Sequence, residues 1–314
     1  MNALVTGGAG FIGSRLAARL LDEGHAVHAV DDLSLGRREN LDAIAAHPRF
    51  TLTVLDVRAP EFARLVESAK PDRVYHLAAN SDISTGTSEP RTDLERTFLT
   101  TFHVLEAMRA WGARELVFAS TSAIYGEAPG AIREEHGPLE PISLYGAAKL
   151  SSEAYVHAYA RLYDLRAWVF RFPNVVGPNL THGAIFDFVE RLHRDRDVLR
   201  VLGDGTQTKP YLDVDDLLDA IAAGVAHPAE PVATYNIAGA GATSVREIAE
   251  LVREELGLPS ARIEFGAGNR GWPGDVPRFE YDTRRIRALG WTPRHDSREA
   301  VRRAIRAKVE QCRR

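Results

Sequence analysis

Short apolar runs alternate with amphipathic stretches through the first half of the chain. Residues 3–6, 26–30, 50–55, 73–77, 115–119 and 167–170 read as strands, and their near-continuous hydrophobicity suits strands buried on both faces. Residues 11–23, 91–111 and 143–163 carry apolar positions at helical spacing. Strands alternating with helices predict an α/β fold, a doubly wound parallel sheet covered on both sides. The pattern changes after Asn174. Residues 174–202 read as mostly helical, and 203–207 as a turn. Ser244 and Glu247 have the spacing of a capping box ahead of a helix over 248–256. Glycine and proline crowd 266–277, which predicts loop.

Composition narrows the class. The chain has 314 residues, 45% hydrophobic and 26% charged, which excludes a disordered or fibrous protein. That length fits one large or two modest domains. We expect residues 1–173 to form one and 174–314 to form mainly the other, with some later segments returning to the sheet. A net charge of −4 argues against a nucleic-acid partner. Residues 283–314 carry eleven basic and three acidic side chains, which read as a solvated helix face. One cysteine, Cys312, excludes an internal disulfide, and with eleven scattered histidines no metal site is expected. No run of 18 apolar residues predicts a membrane span, and the first residues lack the pattern of a signal peptide, so a cytoplasmic location is expected.

The strand at 3–6 runs straight into Thr6-Gly7-Gly8-Ala9-Gly10-Phe11-Ile12-Gly13, which opens the first helix. Glycine at this spacing allows a tight turn and close approach of a pyrophosphate, while the helix N-terminus offers free N–H groups to the anion. By itself such a turn is also an ordinary strand-to-helix connection. Asp31, 18 positions past Gly13 at the end of the second strand, changes the picture: its carboxylate can accept both hydroxyls of an adenosine ribose and would repel a 2′-phosphate. The spacing therefore predicts NAD rather than NADP. Arg37 and Arg38 read as solvated loop residues.

Tyr145 and Lys149 stand four residues apart at the start of a predicted helix, on one face. A nearby ammonium is expected to lower the phenol toward the range of a general base. Upstream, Ser120, Thr121 and Ser122 end the fifth strand, where ligands bind in open α/β sheets.

Taken together these motifs resemble the extended short-chain dehydrogenase/reductase family, specifically NAD-dependent nucleotide-sugar epimerases and dehydratases, along nearly the whole chain. The resemblance implies a Rossmann-type sheet with a smaller C-terminal α/β substrate-binding domain. It implies catalytic roles for Thr121, Tyr145 and Lys149. Cofactor contacts would come from Gly7, Gly10, Phe11, Ile12, Gly13, Asp31, Asp32, Ser34, Gly36, Asp56, Val57, Leu77, Ala78, Ala79, Thr97, Tyr145, Lys149 and Pro173. Substrate contacts would come from Ser81, Ser122, Ala123, Tyr145, Asn174, Lys209, Arg270 and Asp275. Family members are often dimers through two helices, here those over 91–111 and 143–163.

The dehydratases of this family place an Asp-Glu pair after the catalytic threonine, and UDP-glucuronate decarboxylases a glutamate at the second of these positions. Here the two residues are Ser122 and Ala123. The resemblance therefore implies epimerisation at C4 of a nucleotide-activated hexose, a UDP-sugar, through a transient 4-keto sugar. A dehydratase, decarboxylase or 4-ketoreductase of the same family is the enzymatic alternative, and an NAD-sensing regulator the non-enzymatic one. Three positions depart from the pattern: Lys209 and Trp272 stand where arginines are usual, and Thr97 where asparagine is common. A lysine there loses the bidentate fork toward a diphosphate.

Overall fold

A computed structural model describes residues 1–271 and 274–313, with Ser84 and Thr85 described by backbone alone. Trp272 thus lies outside the described residues. The chain forms two compact units. The first comprises Met1–Ile124, Ser143–Arg171 and Gly224–Tyr235, and the second Tyr125–Ile142, Phe172–Ala223 and Asn236–Arg314.

Seven strands build the sheet of the first unit: β1 (Asn2–Thr6), β2 (Ala26–Asp31), β3 (Phe50–Val54), β4 (Arg73–His76), β5 (Glu115–Thr121), β6 (Arg166–Phe172) and β7 (Val232–Asn236). Their order is β7-β6-β5-β4-β1-β2-β3, and the pairs from β3 through β5 are all parallel. The strand order reverses after β3, so the ends of β1 and β4 lie at a topological switch point, where ligands bind in such sheets. Helices α1 (Phe11–Asp22), α2 (Glu61–Ala69), α3 (Thr100–Trp111) and α4 (Leu144–Leu162) belong to this unit. Val66, Leu105, Met108 and Val156 from three of them pack on Leu4, Val74, Leu116 and Val169 of the sheet. Ser143 caps α4 by accepting the Gly146 N–H at 3.1 Å.

The helix expected over 91–111 is broken. A turn at Arg91–Asp93 passes into a π-helical segment, Leu94–Leu99, before α3 begins. Such wide turns interrupt helices at functional sites more than elsewhere. Here it accompanies the burial of Thr97, Thr100 and Thr101, whose hydroxyls bond to backbone or to His76.

The second unit holds α5 (Ala184–Arg194), α6 (Val214–Val225), α7 (Val245–Glu255) and α8 (Ser297–Arg313). Its core gathers Ile185, Val189 and Leu192 of α5, Ile248, Leu251 and Val252 of α7, and Val301 and Ile305 of α8 around Leu199 and Val201. Ser244 and Glu247 do form the capping box of α7, at 3.1 and 2.8 Å. The stretch 174–202, expected to be mostly helical, is helical only in α5. Asn174–Val176 pairs with Tyr211–Asp213, and Val198–Val201 with Arg262–Phe265. The β-branched runs at both ends of the stretch satisfy strands, and periodicity in short apolar runs does not separate the two states. Many arginines of 284–306 are paired with carboxylates of this unit, among them Arg302 and Arg306 with Glu255 and Arg303 with Asp213.

Candidate active site

The glycine turn follows β1 as expected. Gly7 has φ +70°, and a Cβ there would stand 2.8 Å from the Ala78 nitrogen. A Cβ on Gly13 would stand 2.1 Å from the Gly7 oxygen. The turn is thus a cradle that any side chain would fill. Gly10 supplies no side-chain cap to α1, so N–H groups of Phe11, Ile12 and Gly13 at its first turn are free of a side-chain acceptor. Asp31 lies at the end of β2, nearly buried, with its carboxylate accepting from the Ala9 and Leu33 amides at 2.9 Å each. Burial raises its pKa, and the amides of Leu33, Ala9 and Gly10 work against that. Gly36 packs its backbone on the same carboxylate. Asp32 accepts from the Ser34 amide and hydroxyl. After β3, Asp56 is held by Arg58 at 2.6 Å, which lowers its pKa, and Val57 is buried.

Leu77, Ala78 and Ala79 leave β4 beside this turn, and Ser81 is exposed after them. Below them His76 is fully buried. Thr6 Oγ1 accepts from the Ala78 amide at 3.4 Å and lies 2.7 Å from His76 Nδ1, to which it donates because the ring proton is on Nε2. His76 Nε2 then donates to Thr101 Oγ1 at 3.1 Å, and that hydroxyl donates to the Thr97 carbonyl. Burial, followed by the charge of Lys149, pushes His76 down to about 3, so it stays neutral. Thr97 is buried with its hydroxyl accepting from the Asn80 amide at 3.1 Å. Asn80 also donates to Asp93 at 2.9 Å; the other Asp93 oxygen has no partner among the described residues.

Thr121, Tyr145 and Lys149 come together at the end of β5 and the first turns of α4. Tyr145 hydrogen-bonds Thr121. Thr121 Oγ1 accepts from the Ala123 amide at 3.2 Å, at the start of the turn Ser122–Tyr125. Lys149 is buried, with Nζ donating to the Ala119 carbonyl at 2.7 Å and 4.9 Å from the centre of the Phe118 ring. Burial pushes its pKa down to about 7, against the attraction of Glu153. The expected lowering of the Tyr145 phenol by Lys149 is not found. Burial and the Asp93 carboxyl raise it well above its ordinary value, with the Thr121 hydrogen bond working the other way. The reason is geometric: the ammonium points at Ala119.

In the second unit, Pro173 and Asn174 follow β6 directly. Asn174, Lys209 and Asp275 gather around a residue that the sequence reading missed, Tyr211. Its hydroxyl bonds Asn174, and burial pushes it up to about 12, with Asp275 adding to the rise. Lys209 is paired with Asp275. Arg270 donates to the Asp275 backbone carbonyl at 2.8 Å and pairs with Glu127. Gln207, at the end of the turn over 203–207, is buried, and neither polar atom of its amide has a partner among the described residues. The signal was present: Gln207, Lys209 and Tyr211 alternate, and alternate residues of an extended strand share one face.

A Rossmann-type sheet whose glycine cradle opens a helix beside an acidic strand end, with a Thr–Tyr–Lys group at the end of β5 and the start of α4, defines a dinucleotide-dependent enzyme of the short-chain dehydrogenase type. Comparison with known proteins makes the class specific. Residues 3–238 match the model of the NAD dependent epimerase/dehydratase family, and the chain belongs to that family. It is 34% identical, over 97% of both chains, to a UDP-glucose 4-epimerase of Mycolicibacterium smegmatis. It superposes on a Thermotoga maritima UDP-glucose 4-epimerase solved with UDP-glucose with a TM-score of 0.89, at 30% identity, covering 99% of this chain and 100% of that one. It superposes equally well, with a TM-score of 0.90 at 29% identity, on a Streptomyces venezuelae dTDP-glucose 4,6-dehydratase solved with NAD, covering 99% and 97%. The fold is common to both chemistries.

Proposed function

We propose that the protein is an NAD-dependent 4-epimerase of a UDP-hexose. The observation that carries this reading is the turn after β5. Ser122 and Ala123 follow Thr121 there, so the turn places no carboxyl beside the catalytic group. Elimination of water needs an acid for the leaving hydroxyl and a base for the C5 proton. Epimerisation needs neither. The similarity to UDP-glucose 4-epimerases over whole chains supports the same reading.

The residues present fit the cofactor. Gly7, Gly10, Phe11, Ile12 and Gly13 would hold the pyrophosphate, Asp31 and Asp32 the adenosine ribose, and Asp56 and Val57 the adenine. Leu77, Ala78, Ala79, Thr97 and Pro173 would line the nicotinamide end, and Lys149 would donate to its ribose. When bound, NAD would supply the acceptor and donor of the hydride. Tyr145 then takes the proton of the sugar 4-hydroxyl, through or beside Thr121, and returns it after the 4-keto sugar has turned over. Asn174, Lys209 and Arg270 would grip the diphosphate, with Asp275 orienting the two cations. Ser81, Ser122 and Ala123 would face the sugar.

A homodimer is part of this proposal. In the first unit Leu94, Tyr155, Leu162 and Tyr163 are exposed, and Phe98 and Phe102 stack edge-on against Tyr155 at 5.0 and 6.2 Å. Such an apolar helix face suits a two-fold contact. No helix among the described residues is long and apolar enough to cross a membrane; a cytoplasmic enzyme fits the absence of internal disulfide chemistry. Incubation with UDP-glucose and analysis of the product by NMR tests the reading.

A further inference from the structure

Beneath the catalytic group lies a buried ionic network that the proposed chemistry does not use. Glu153 sits one helical turn beyond Lys149 on α4 and is only 3% exposed. One carboxylate oxygen accepts from the Ser120 hydroxyl in β5 and from Arg171 Nε in β6 at 3.1 Å. The other accepts from Arg171 Nη2 at 2.7 Å. Ser120 and Arg171 are themselves nearly buried. One carboxylate thus ties together the strand that carries Thr121, the helix that carries Tyr145 and Lys149, and a third strand.

A buried ion pair is costly to form and is weak evidence of stability, so its place beside a buried ammonium asks for another reason. We propose that Glu153 is a positioning residue that keeps Lys149 charged, with Arg171 as the counterweight that sets how much of its negative charge Lys149 feels. The groups facing Lys149 support this. On β4, His76 is neutral; on β5, Phe118 offers a ring face and Ala119 a carbonyl; on α4, Tyr145 is a neutral phenol. Glu153 is the carboxylate whose field reaches the ammonium and opposes the cost of burying it. Around Glu153 stand Ser120, Arg171 and, on the next turn of α4, His157, whose burial favours the neutral form. Asp93 acts on Tyr145. The arrangement gives the pair a role in a dry interior: its carboxylate, one helical turn from Lys149, opposes the cost of burying that charge.

The inference rests on the cofactor reading, in which Lys149 donates to the nicotinamide ribose. The sign follows. Only the ammonium has a proton for each ribose oxygen, so NADH affinity is full below the titration of Lys149 and falls as pH rises through it. Removing the charge of Glu153 moves that fall to lower pH; removing the charge of Arg171 moves it to higher pH. The experiment is NADH binding by fluorescence across pH for wild type, Glu153→Gln, Glu153→Asp and Arg171→Gln, with Lys149→Arg as the variant whose cation does not titrate. Lys149→Arg is expected to flatten the profile. Glu153→Gln is expected to shift its midpoint down by about one unit, a loss of affinity of about threefold midway between the two midpoints that approaches tenfold above the wild-type one, and Glu153→Asp to restore it. Arg171→Gln is expected to shift it up, and this variant alone decides the matter if Glu153→Gln does not fold. Midpoints that stay put, or that move the same way in both variants, overturn the proposal and leave the network structural. Wild type that fails to bind NADH overturns the cofactor reading instead.

Discussion

At the scale of single residues the site is a balance of burial against a few directed bonds. Tyr145 is raised by burial and by Asp93, so in the cofactor-free protein it is a phenol, not a base. Tyr145→Phe is expected to lower turnover by about 10²–10⁴-fold while UDP-sugar affinity, measured by calorimetry, stays within a few-fold. A variant that retains most of the wild-type rate would move the base to another group. In the proposed site Asp31 would set cofactor choice, its carboxylate facing a 2′-phosphate. NAD(H) is expected to bind more tightly than NADP(H) in a direct titration, and Asp31→Asn to narrow the gap. Most of this chemistry was legible in the sequence, because cofactor turns, strand-end carboxylates and a Tyr–Lys pair are local patterns. Tyr211 was passed over, since what makes it notable is burial beside Asn174 and Asp275, which only the folded chain supplies.

At the scale of elements, β1 to β6 and helices α1, α4 and α7 could be read from periodicity, and those strands differ from the expected ones by a residue or two at their ends, whereas β7, α2 and α6 were not read. The exceptions have physical causes. The helix over 91–111 opens into a π-helical segment at Leu94–Leu99, whose Thr97 meets Asn80, while Thr101 at the start of α3 meets His76. Nothing in 3.6-residue spacing marks such a turn. In 174–202 the strand pairs are non-local, with partners at 211–213 and 262–265, and short apolar runs do not announce distant partners. Two element-scale outcomes are testable. Gly13→Ala puts a Cβ against the Gly7 oxygen, and is expected to abolish NADH binding while α1 and the sheet remain by circular dichroism. Asp216, fully buried at the start of α6, accepts from the backbone and side chains of Arg294 and His295 at 2.9–3.1 Å. Burial works to raise its pKa, but these bonds outweigh it and hold it below the ordinary carboxylate value. Its stabilisation is therefore present above the unfolded carboxylate pKa and lost as pH falls through the folded one. Asp216→Asn is expected to lower stability at neutral pH by on the order of 2–3 kcal/mol, and by less in acid, in urea titrations at both pH values.

At the scale of the whole molecule, the fold alone does not choose the reaction, since an epimerase and a dehydratase superpose on it equally well. The choice falls to Ser122 and Ala123 beside Thr121. The proposed homodimer is testable at the exposed apolar face of the first unit: light scattering is expected to give a dimer, and Tyr155→Glu with Leu162→Glu a monomer that keeps its circular dichroism spectrum. The central claim, redox-neutral inversion at C4, is tested most directly by incubating the purified protein with NAD and UDP-glucose and following the product by mass and proton NMR. The account predicts an unchanged mass and a sugar ring whose C4–H coupling is that of the galactose epimer. A product lighter by one water, formed on the same UDP-hexose, would contradict it and place an acid–base pair at the site that Ser122 and Ala123 do not supply.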